Sequence, residues 1–348
     1  MRNKYNSWPQ SSPHSEVSPL FAKVVYGAGL LGLAGLSLVL TRIWHTTYLF
    51  DRAESAYEAG DCSAALPIFN RFAENGAFME TQDIEVRSLA RKNECERYQS
   101  FAEAEPQLSP MELLRASSDF LDSYPTSALD DFIRGQVDQQ IADTPGETLA
   151  VEKTCDRIDS IKTHQLIPNG DTQTPLLMQA CGELYSNNQN FDQAITLYDQ
   201  FLNDYPTHAQ LTAVEASLAK TLVAQANAEN PGEIPPPPLS GYTRDGSTVV
   251  TIRNDSPEAM RIVFSGAEPK FQELAPCEDC EVFSGNPPES CPERGPEAQF
   301  VIEPGQYDVL VRSIGARSVT PFTGTWGLGQ GSEYYSCFYI VQSPAVES

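Results

Sequence analysis

The sequence predicts a multidomain protein: an N-terminal transmembrane helix, an all-α array of helical hairpins, and an all-β sandwich or small barrel. Three observations favour this class. Val24–Leu40 is a run of 17 residues without a charge. Residues 50–226 combine helix-forming residues with apolar positions three or four apart. Residues 242–343 contain β-branched and aromatic runs separated by turn residues.

The uncharged run predicts a membrane anchor over residues 23–45, because about 20 apolar residues cross a bilayer. Lys23 and Arg42 flank the run and can extend their charged ends toward the head groups. A cleaved signal peptide is the alternative, but no Ala-x-Ala site follows the run. Lys and Arg precede the span, so residues 1–22 are predicted to form a cytoplasmic tail and the remainder to lie outside.

Three small residues, Ala28, Gly32 and Gly35, lie on one face of the predicted span. Small residues let membrane helices approach each other closely, so this stripe predicts a homo-oligomer formed through the span. The alternative interpretation is that glycine is simply frequent in membrane helices.

The formal net charge of −24 falls mostly beyond the span, where residues 51–240 alone carry 12 basic and 31 acidic side chains. An acidic surface of this kind repels phosphate backbones, so no nucleic-acid partner is expected. The acidity serves solubility, or it steers a basic partner toward the protein. Both interpretations remain open at this point.

All eight cysteines follow the predicted span, which indicates an oxidising, extracytoplasmic compartment. In a helical hairpin, residues equidistant from the turn face each other. Cys155 and Cys181 are centred on residue 168, within a strong turn signal, and Cys62 and Cys95 are centred just after an Asn-Gly break. Each pair is therefore predicted to form a disulfide between antiparallel helices, the alternative being four buried free thiols.

The four remaining cysteines are Cys277, Cys280, Cys291 and Cys337. Two disulfides suit an oxidising compartment, with three possible connectivities. A four-cysteine zinc site and a redox-active pair are the alternatives. Acidic neighbours disfavour a reactive thiolate, and the last two cysteines lack the spacing of a second zinc half-site. The prediction is therefore two disulfides and no metal.

Two similar strings, Phe-Leu-Asp-Ser-Tyr-Pro-Thr at 120–126 and Phe-Leu-Asn-Asp-Tyr-Pro-Thr at 201–207, recur in the helical region. Each is typical of a helix end, because proline cannot continue the helix. A repeated helix ending predicts a helical solenoid.

A fuller pattern surrounds the second string. Its residues are Gly182, Tyr185, Ala194, Tyr198 and Pro206. The small residues let the two helices of a hairpin approach, and the aromatic residues fill the wedge to the next hairpin. This spacing resembles the tetratricopeptide repeat, with a poorer match near Tyr57 and none as clear over residues 80–180. The Tyr-Pro strings are also similar to helical repeats of bacterial envelope proteins.

The resemblance implies a membrane-anchored scaffold or adaptor whose concave face holds a protein partner at or near the membrane. A short array that acts only as a spacer is the alternative. The implied location is the bacterial inner membrane, single-pass, with the N-terminus cytoplasmic and the bulk periplasmic. The alternative location is a thylakoid membrane with the bulk in the lumen.

The boundary between the two predicted domains is a proline-rich linker at residues 227–241, with four consecutive prolines at 235–238. Such a stretch favours extended polyproline II and predicts a semi-rigid spacer. Six or more short runs beyond it predict an immunoglobulin-like sandwich or a small barrel.

No catalytic residue, cofactor or metal site is predicted, so enzymatic activity is not expected. The four histidines have no motif partner, and metalloprotease, nucleophile-elbow and phosphate-loop motifs are absent from the sequence. The second functional hypothesis is that the β domain binds a glycan or another envelope component while the helices form a stalk. Its candidate contacts are Tyr307, Phe322, Trp326, Tyr334 and Tyr335.

Overall fold

The computed structural model describes residues 19–74, 82–285, 288–314 and 319–342, with residues 19–36 and 38 as backbone only. The chain divides into two compact units. The first runs to Ala104 and takes in Thr126–Leu129, and the second contains Glu105–Pro125 and the chain from Asp130 onward. Most of the predicted tail, and the side chains of the predicted small-residue stripe, lie outside the described residues.

The described residues contain ten α-helices. They are α1 (Pro19–Glu58), α2 (Cys62–Glu74), α3 (Gln82–Ala104), α4 (Pro110–Ser123), α5 (Asp130–Ile141), α6 (Glu152–Cys155), α7 (Ile158–Thr163), α8 (Gly170–Asn187), α9 (Phe191–Asp204) and α10 (Leu211–Ala228). Across the described part of the chain, no helix meets the length and hydropathy that crossing a bilayer demands.

The first unit is built on the C-terminal part of α1, on α2 and on α3. Gly60 has φ +76° and lets the chain turn sharply between α1 and α2. Phe50, Ala65 and Phe69 are buried between these helices. The disulfide Cys62–Cys95 then joins the start of α2 to α3.

A buried polar network centred on Glu94 holds the first unit together. The Tyr57 hydroxyl donates to Glu94 Oε1 over 2.6 Å, and Arg91 Nη1 donates to Glu94 Oε2 over 3.0 Å. The Ser127 hydroxyl also donates to Glu94, and the Ala128 amide donates to the Tyr57 oxygen over 3.0 Å. The network therefore fixes the Thr126–Leu129 segment to α1 and α3.

Alkaline pH is expected to destabilise the first unit through Tyr57. Burial, reinforced by the bond to Glu94, raises the pKa of Tyr57 to about 12 from 10.0. Because the folded pKa is the higher one, the stabilisation is complete below pH 10 and is lost as the pH rises through 12. The loss amounts to about 2–3 kcal/mol. Urea unfolding of wild type and Tyr57→Phe between pH 9 and 12 measures it.

The Tyr57→Phe variant should lose less stability than wild type over this range, because it has no phenol to ionise. The control is Tyr242→Phe, since Tyr242 is 74% exposed. Identical pH profiles for wild type and Tyr57→Phe would contradict the prediction.

The repeated Phe-Leu-x-x-Tyr-Pro strings end helices, which confirms that prediction. In α4, the Tyr124 amide donates to the Phe120 carbonyl over 3.0 Å, and the two rings lie 5.0 Å apart. In α9, the Tyr205 amide donates to the Phe201 carbonyl over 2.9 Å. Each proline then directs the chain away from the helix axis.

Eleven strands follow in the described residues. They are β1 (Gly232–Glu233), β2 (Leu239–Tyr242), β3 (Thr248–Asn254), β4 (Met260–Gly266), β5 (Lys270–Leu274), β6 (Phe283–Ser284), β7 (Glu297–Ile302), β8 (Gly305–Ser313), β9 (Phe322–Leu328), β10 (Ser332–Phe338) and β11 (Val341–Gln342).

The strands form a sandwich of two sheets. One sheet has the order β1-β9-β8-β4-β5, the other has the order β2-β10-β3-β7, and β6 with β11 forms a small ribbon. Phe264, Tyr307 and Trp326 from the first sheet meet Val250 and Phe300 from the second in a single core.

The proline-rich stretch, predicted to be a semi-rigid spacer, pairs with the sandwich instead. Its start pairs with one sheet as β1 and its end pairs with the other as β2, so the stretch crosses one side of the sandwich. Ile234, between the two strands, is buried in the sandwich core. The stretch is attached to the sandwich because it pairs with two strands and buries Ile234. Residue propensities along the sequence do not reveal either interaction.

Helix α10 covers the outer face of the first sheet. The helix packs against β4 and β8; Leu222 and Val223 of α10 are buried, as are Val263 and Leu310 of these strands. Arg312 of β8 donates to Gln225 over 3.2 Å and to Glu229 over 2.7 Å. The last helix and the sandwich therefore share a second apolar layer.

A tripeptide at the end of β3, Asn254–Ser256, fastens the cysteine-containing loop. The buried Asp255 carboxylate accepts from the backbone amides of Glu293, Arg294 and Gly295 over 2.8–3.2 Å. The Asp255 amide donates to the Phe338 carbonyl over 2.8 Å. On the other side, the Cys277 amide donates to the Ser256 carbonyl over 2.9 Å. Both ends of the loop are thus attached to one point.

The eight cysteines lie in four pairs, with none left free among the described residues. Cys155 and Cys181 connect α6 to α8, 26 residues apart. Cys277 pairs with Cys280, and Cys291 pairs with Cys337 across 46 residues.

These loop lengths predict unequal contributions to stability. In the chain-entropy account the three long loops each stabilise by about 3.5–4 kcal/mol, whereas the four-residue loop of Cys277–Cys280 stabilises by about 2 kcal/mol. Urea unfolding of paired Cys→Ser variants measures each loss. A larger loss for the Cys277/Cys280 pair than for Cys155/Cys181 would contradict this account.

Candidate interaction groove

The predicted repeat residues lie mostly inside the α8–α9 hairpin. A Cβ added at Gly182 would lie 2.4 Å from Cε1 of Tyr198, so only glycine permits this approach of the two helices. Ala194 is also fully buried, and the Tyr185 hydroxyl donates to Asp156 Oδ1 over 2.7 Å. Pro206 is exposed, beyond the end of α9.

Polar contacts join the α8–α9 hairpin to α10. Burial raises the pKa of Tyr198 to about 12, with the charge of Glu183 adding to the shift, while hydrogen bonding to Ser217 and Thr221 of α10 opposes it. The Ser186 and Thr221 hydroxyl oxygens lie 2.9 Å apart. The three helices α8, α9 and α10 therefore form one packed group.

A groove of about 300 Å³ opens between this helical group and the first sheet. Helices α9 and α10 form one wall, and β4 and β5 form the other. Its lining residues are Ile195, Asp199, Leu202, Glu215, Leu218, Leu222, Arg261, Phe271, Gln272 and Glu273. The volume is at the lower end of the range for ligand sites, about 300–1,000 Å³, and suits a few side chains.

The groove has an apolar floor and partly open apolar walls. Leu218 and Leu222 of α10 are 5% and 7% exposed and form the floor. Ile195 and Leu202 of α9 and Phe271 of β5 are partly exposed. Apolar side chains that remain accessible in a concave site favour burial against another molecule.

The charged groups of the groove are unequally paired. Arg261 Nη2 lies 2.5 Å from Glu273 Oε1, so this cation is engaged. Asp199 and Glu215 have no hydrogen bond or ion pair among the described residues. The groove walls remove part of the hydration of Asp199 and raise the pKa of its carboxyl, although Arg261 opposes the shift and the side chain remains open to solvent.

Strand β5, which supplies Phe271 to the groove, is the edge of its sheet. Among the described strands it is hydrogen-bonded only to β4. An edge strand presents backbone N–H and C=O groups to which an extended chain can add.

The five aromatic residues predicted as ligand contacts differ in their exposure, and two of them are buried. Tyr307 and Trp326 are fully buried in the sandwich core, so neither can stack on a ligand. Tyr334 is partly buried and packs against that core, and Tyr335 lies beneath Arg253. Phe322 is 42% exposed and lies against Gly232.

The closest approach to a catalytic grouping among the described residues lies between α4 and α7. The Ser160 hydroxyl donates to Asp122 Oδ1 over 2.8 Å, and His164 Nε2 lies 3.0 Å from the same oxygen. The hydroxyl therefore contacts the carboxylate and not the imidazole, so the Ser–His contact of a serine nucleophile and its base is not formed. No three His, Cys, Asp or Glu side chains in the described regions converge as a metal site would require.

Sequence reasoning missed the groove. Its residues come from α9, α10, β4 and β5, spread over residues 195–273, and β5 carries no strong strand signal of its own. Only the apolar spacing of α9 and α10 was visible, and that spacing equally describes packing within a repeat.

The comparison with known families matches the α8–α9 hairpin to a repeat family. Residues 182–208 match the family model of the tetratricopeptide repeat, which covers Gly182 to the end of α9 and the turn beyond it. No curated protein sequence matches the chain. The chain is therefore similar to a tetratricopeptide repeat over these residues, within a helical region followed by a β domain.

Proposed function

We propose that this protein is a membrane-anchored, extracytoplasmic scaffold that binds a protein partner through its helical repeats and the adjoining sheet. The observation that carries the proposal is the repeat hairpin α8–α9, packed on α10 and opening onto a partly apolar groove. Repeat hairpins of this type typically present surfaces to other proteins. No enzymatic role is assigned.

The location rests on the sequence and on cysteine usage. The uncharged run at Val24–Leu40 supports an anchor with the N-terminus in the cytoplasm. Eight paired cysteines suit the periplasm of a bacterial cell, or the lumen if the membrane is a thylakoid. Self-association through the span is part of the same proposal.

A co-purification experiment tests the scaffold. Tagged full-length chain is crosslinked in intact cells, solubilised in detergent and purified, with a Leu197→Glu variant in parallel. Leu197 is buried in α9, so the charge disrupts the repeat. A partner that crosslinks to wild type but not to this variant is expected. If none is recovered, or if the variant retains the partner, the scaffold fails.

The anchor requires its own test. A tag at Ser348 should be degraded by protease added to spheroplasts, and the chain should resist extraction from membranes by alkali. A protected tag would exclude the proposed topology. A chain released by alkali would exclude the anchor.

A further inference from the structure

We infer that the groove between α9–α10 and β4–β5 binds an extended peptide segment that places a Lys or Arg between apolar side chains. This inference rests on the proposed function and names the class of partner. The site is composite: the repeat supplies one wall and the β domain supplies the other. A repeat array without the β domain would not form it.

Charge complementarity selects a basic occupant. Three carboxylates, Asp199, Glu215 and Glu273, line the groove with one guanidinium, that of Arg261. Arg261 is paired with Glu273 at 2.5 Å and attracts Asp199 only from a distance, so the carboxylates of the groove outnumber its guanidinium by two. A cation seated between Asp199 and Glu215 would gain two attractive interactions without displacing an ion pair. The net charge of −24 further attracts a basic segment from a distance.

The apolar walls of the groove favour apolar residues on either side of the peptide's Lys or Arg. Ile195 and Leu202 lie two helical turns apart on α9, with Asp199 between them on the same face. Phe271 faces the groove from the opposite wall. A segment with apolar side chains on both sides of its basic residue matches this order. Its apolar groups would cover surface that is now partly exposed.

The edge strand selects an extended conformation. Strand β5 lies in the groove wall and pairs on one side only among the described strands. A peptide added alongside it gains backbone hydrogen bonds, and its alternate side chains point to one face. The groove volume of about 300 Å³ accommodates side chains but not a folded domain.

The test uses a library of random short peptides displayed on phage and selected against the full-length chain in detergent. Enriched peptides should alternate apolar residues with a Lys or Arg. A fluorescein-labelled winner and its Arg→Glu counterpart are then titrated by anisotropy. We expect Asp199→Lys to weaken the winner by at least about tenfold. Asp138→Lys, an equal charge change at an exposed site on α5 outside the groove, should change binding by less than about threefold.

A second readout addresses conformation. Hydrogen exchange at the backbone amides of Phe271 and Glu273 should slow on binding, because an added strand protects the β5 edge. Circular dichroism of Asp199→Lys and of Asp138→Lys checks that each variant is folded. Winners that lack basic residues, equal weakening by Asp138→Lys, or unprotected β5 amides would each overturn the inference.

The two proposals fail separately. If the crosslinked partner binds wild type and Asp199→Lys equally, the groove is not its site, and the scaffold itself stands. If no crosslinked partner is lost when the repeat is disrupted, the scaffold proposal fails, even if the groove binds short peptides.

Discussion

Replacing Leu310 with Asp is expected to destabilise both the sandwich and the helices of the second unit, by more than about 4 kcal/mol. Leu310 is 1% exposed, and its neighbours Val309 and Val311 point into the sandwich core, so its own side chain faces α10. A carboxylate there would be buried without a partner. Arg312, the nearest cation on β8, already contacts Gln225 and Glu229.

The measurement follows urea unfolding by two signals. Circular dichroism reports the helices, and fluorescence of Trp326, in a Trp8→Phe/Trp44→Phe background, reports the sandwich. Both midpoints should fall together, because α10 belongs to both layers. Val301→Asp is the control, since Val301 is 61% exposed on β7, and it should stay within about 0.5 kcal/mol of wild type. A helical midpoint that does not move would refute shared stability.

The second large effect is expected for Glu94→Ala in the first unit, with a loss of about 3–5 kcal/mol. Glu94 is 4% exposed and accepts from Tyr57, Arg91 and Ser127. Removal of its carboxylate leaves the Arg91 guanidinium, packed 4.3 Å from the centre of the Tyr57 ring, with only the longer 3.6 Å ion pair to Glu54. Two hydroxyl groups lose their acceptor as well.

Glu96→Ala provides the matched control two residues along α3. The Glu96 side chain is 51% exposed and lies 3.9 Å from Lys92, so its loss should cost no more than about 1 kcal/mol. Hydrogen exchange adds a local readout. The Ala128 amide, which donates to Tyr57, should exchange faster in Glu94→Ala than in Glu96→Ala. Equal unfolding free energies for the two variants would exclude a structural role for the network.

The features that could be predicted from the sequence are those formed by residues close together along the chain. Glycine at 182 and the Phe-Leu-x-x-Tyr-Pro endings act within one hairpin, where spacing alone fixes which side chains meet. The paired positions of Cys155 and Cys181 about their turn have the same local origin. The strands β3, β4 and β8 were also visible, because β-branched residues repeat along each of them.

Features that depend on distant residues were not visible. The proline-rich stretch forms strand because β9 and β10 offer it partners, and the paired residues lie 90–95 positions further along the chain. The attachment of α10 to the sheet requires Val263 and Leu310 to face outward, and continuous apolar runs do not distinguish the two faces of a strand. The groove depends on this attachment of α10 to the sheet, so the same limit applies to it.

The attachment point at Asn254–Ser256 has a consequence for how the disulfide between Cys291 and Cys337 forms. Asp255 binds the backbone beside Cys291 through its carboxylate and the backbone beside Cys337 through its amide. These bonds need no sulfur chemistry, so they can bring the two thiols together while both are still reduced. The hydrogen bonds of Asp255 would then determine that Cys291 pairs with Cys337, and the oxidant would only form the covalent bond.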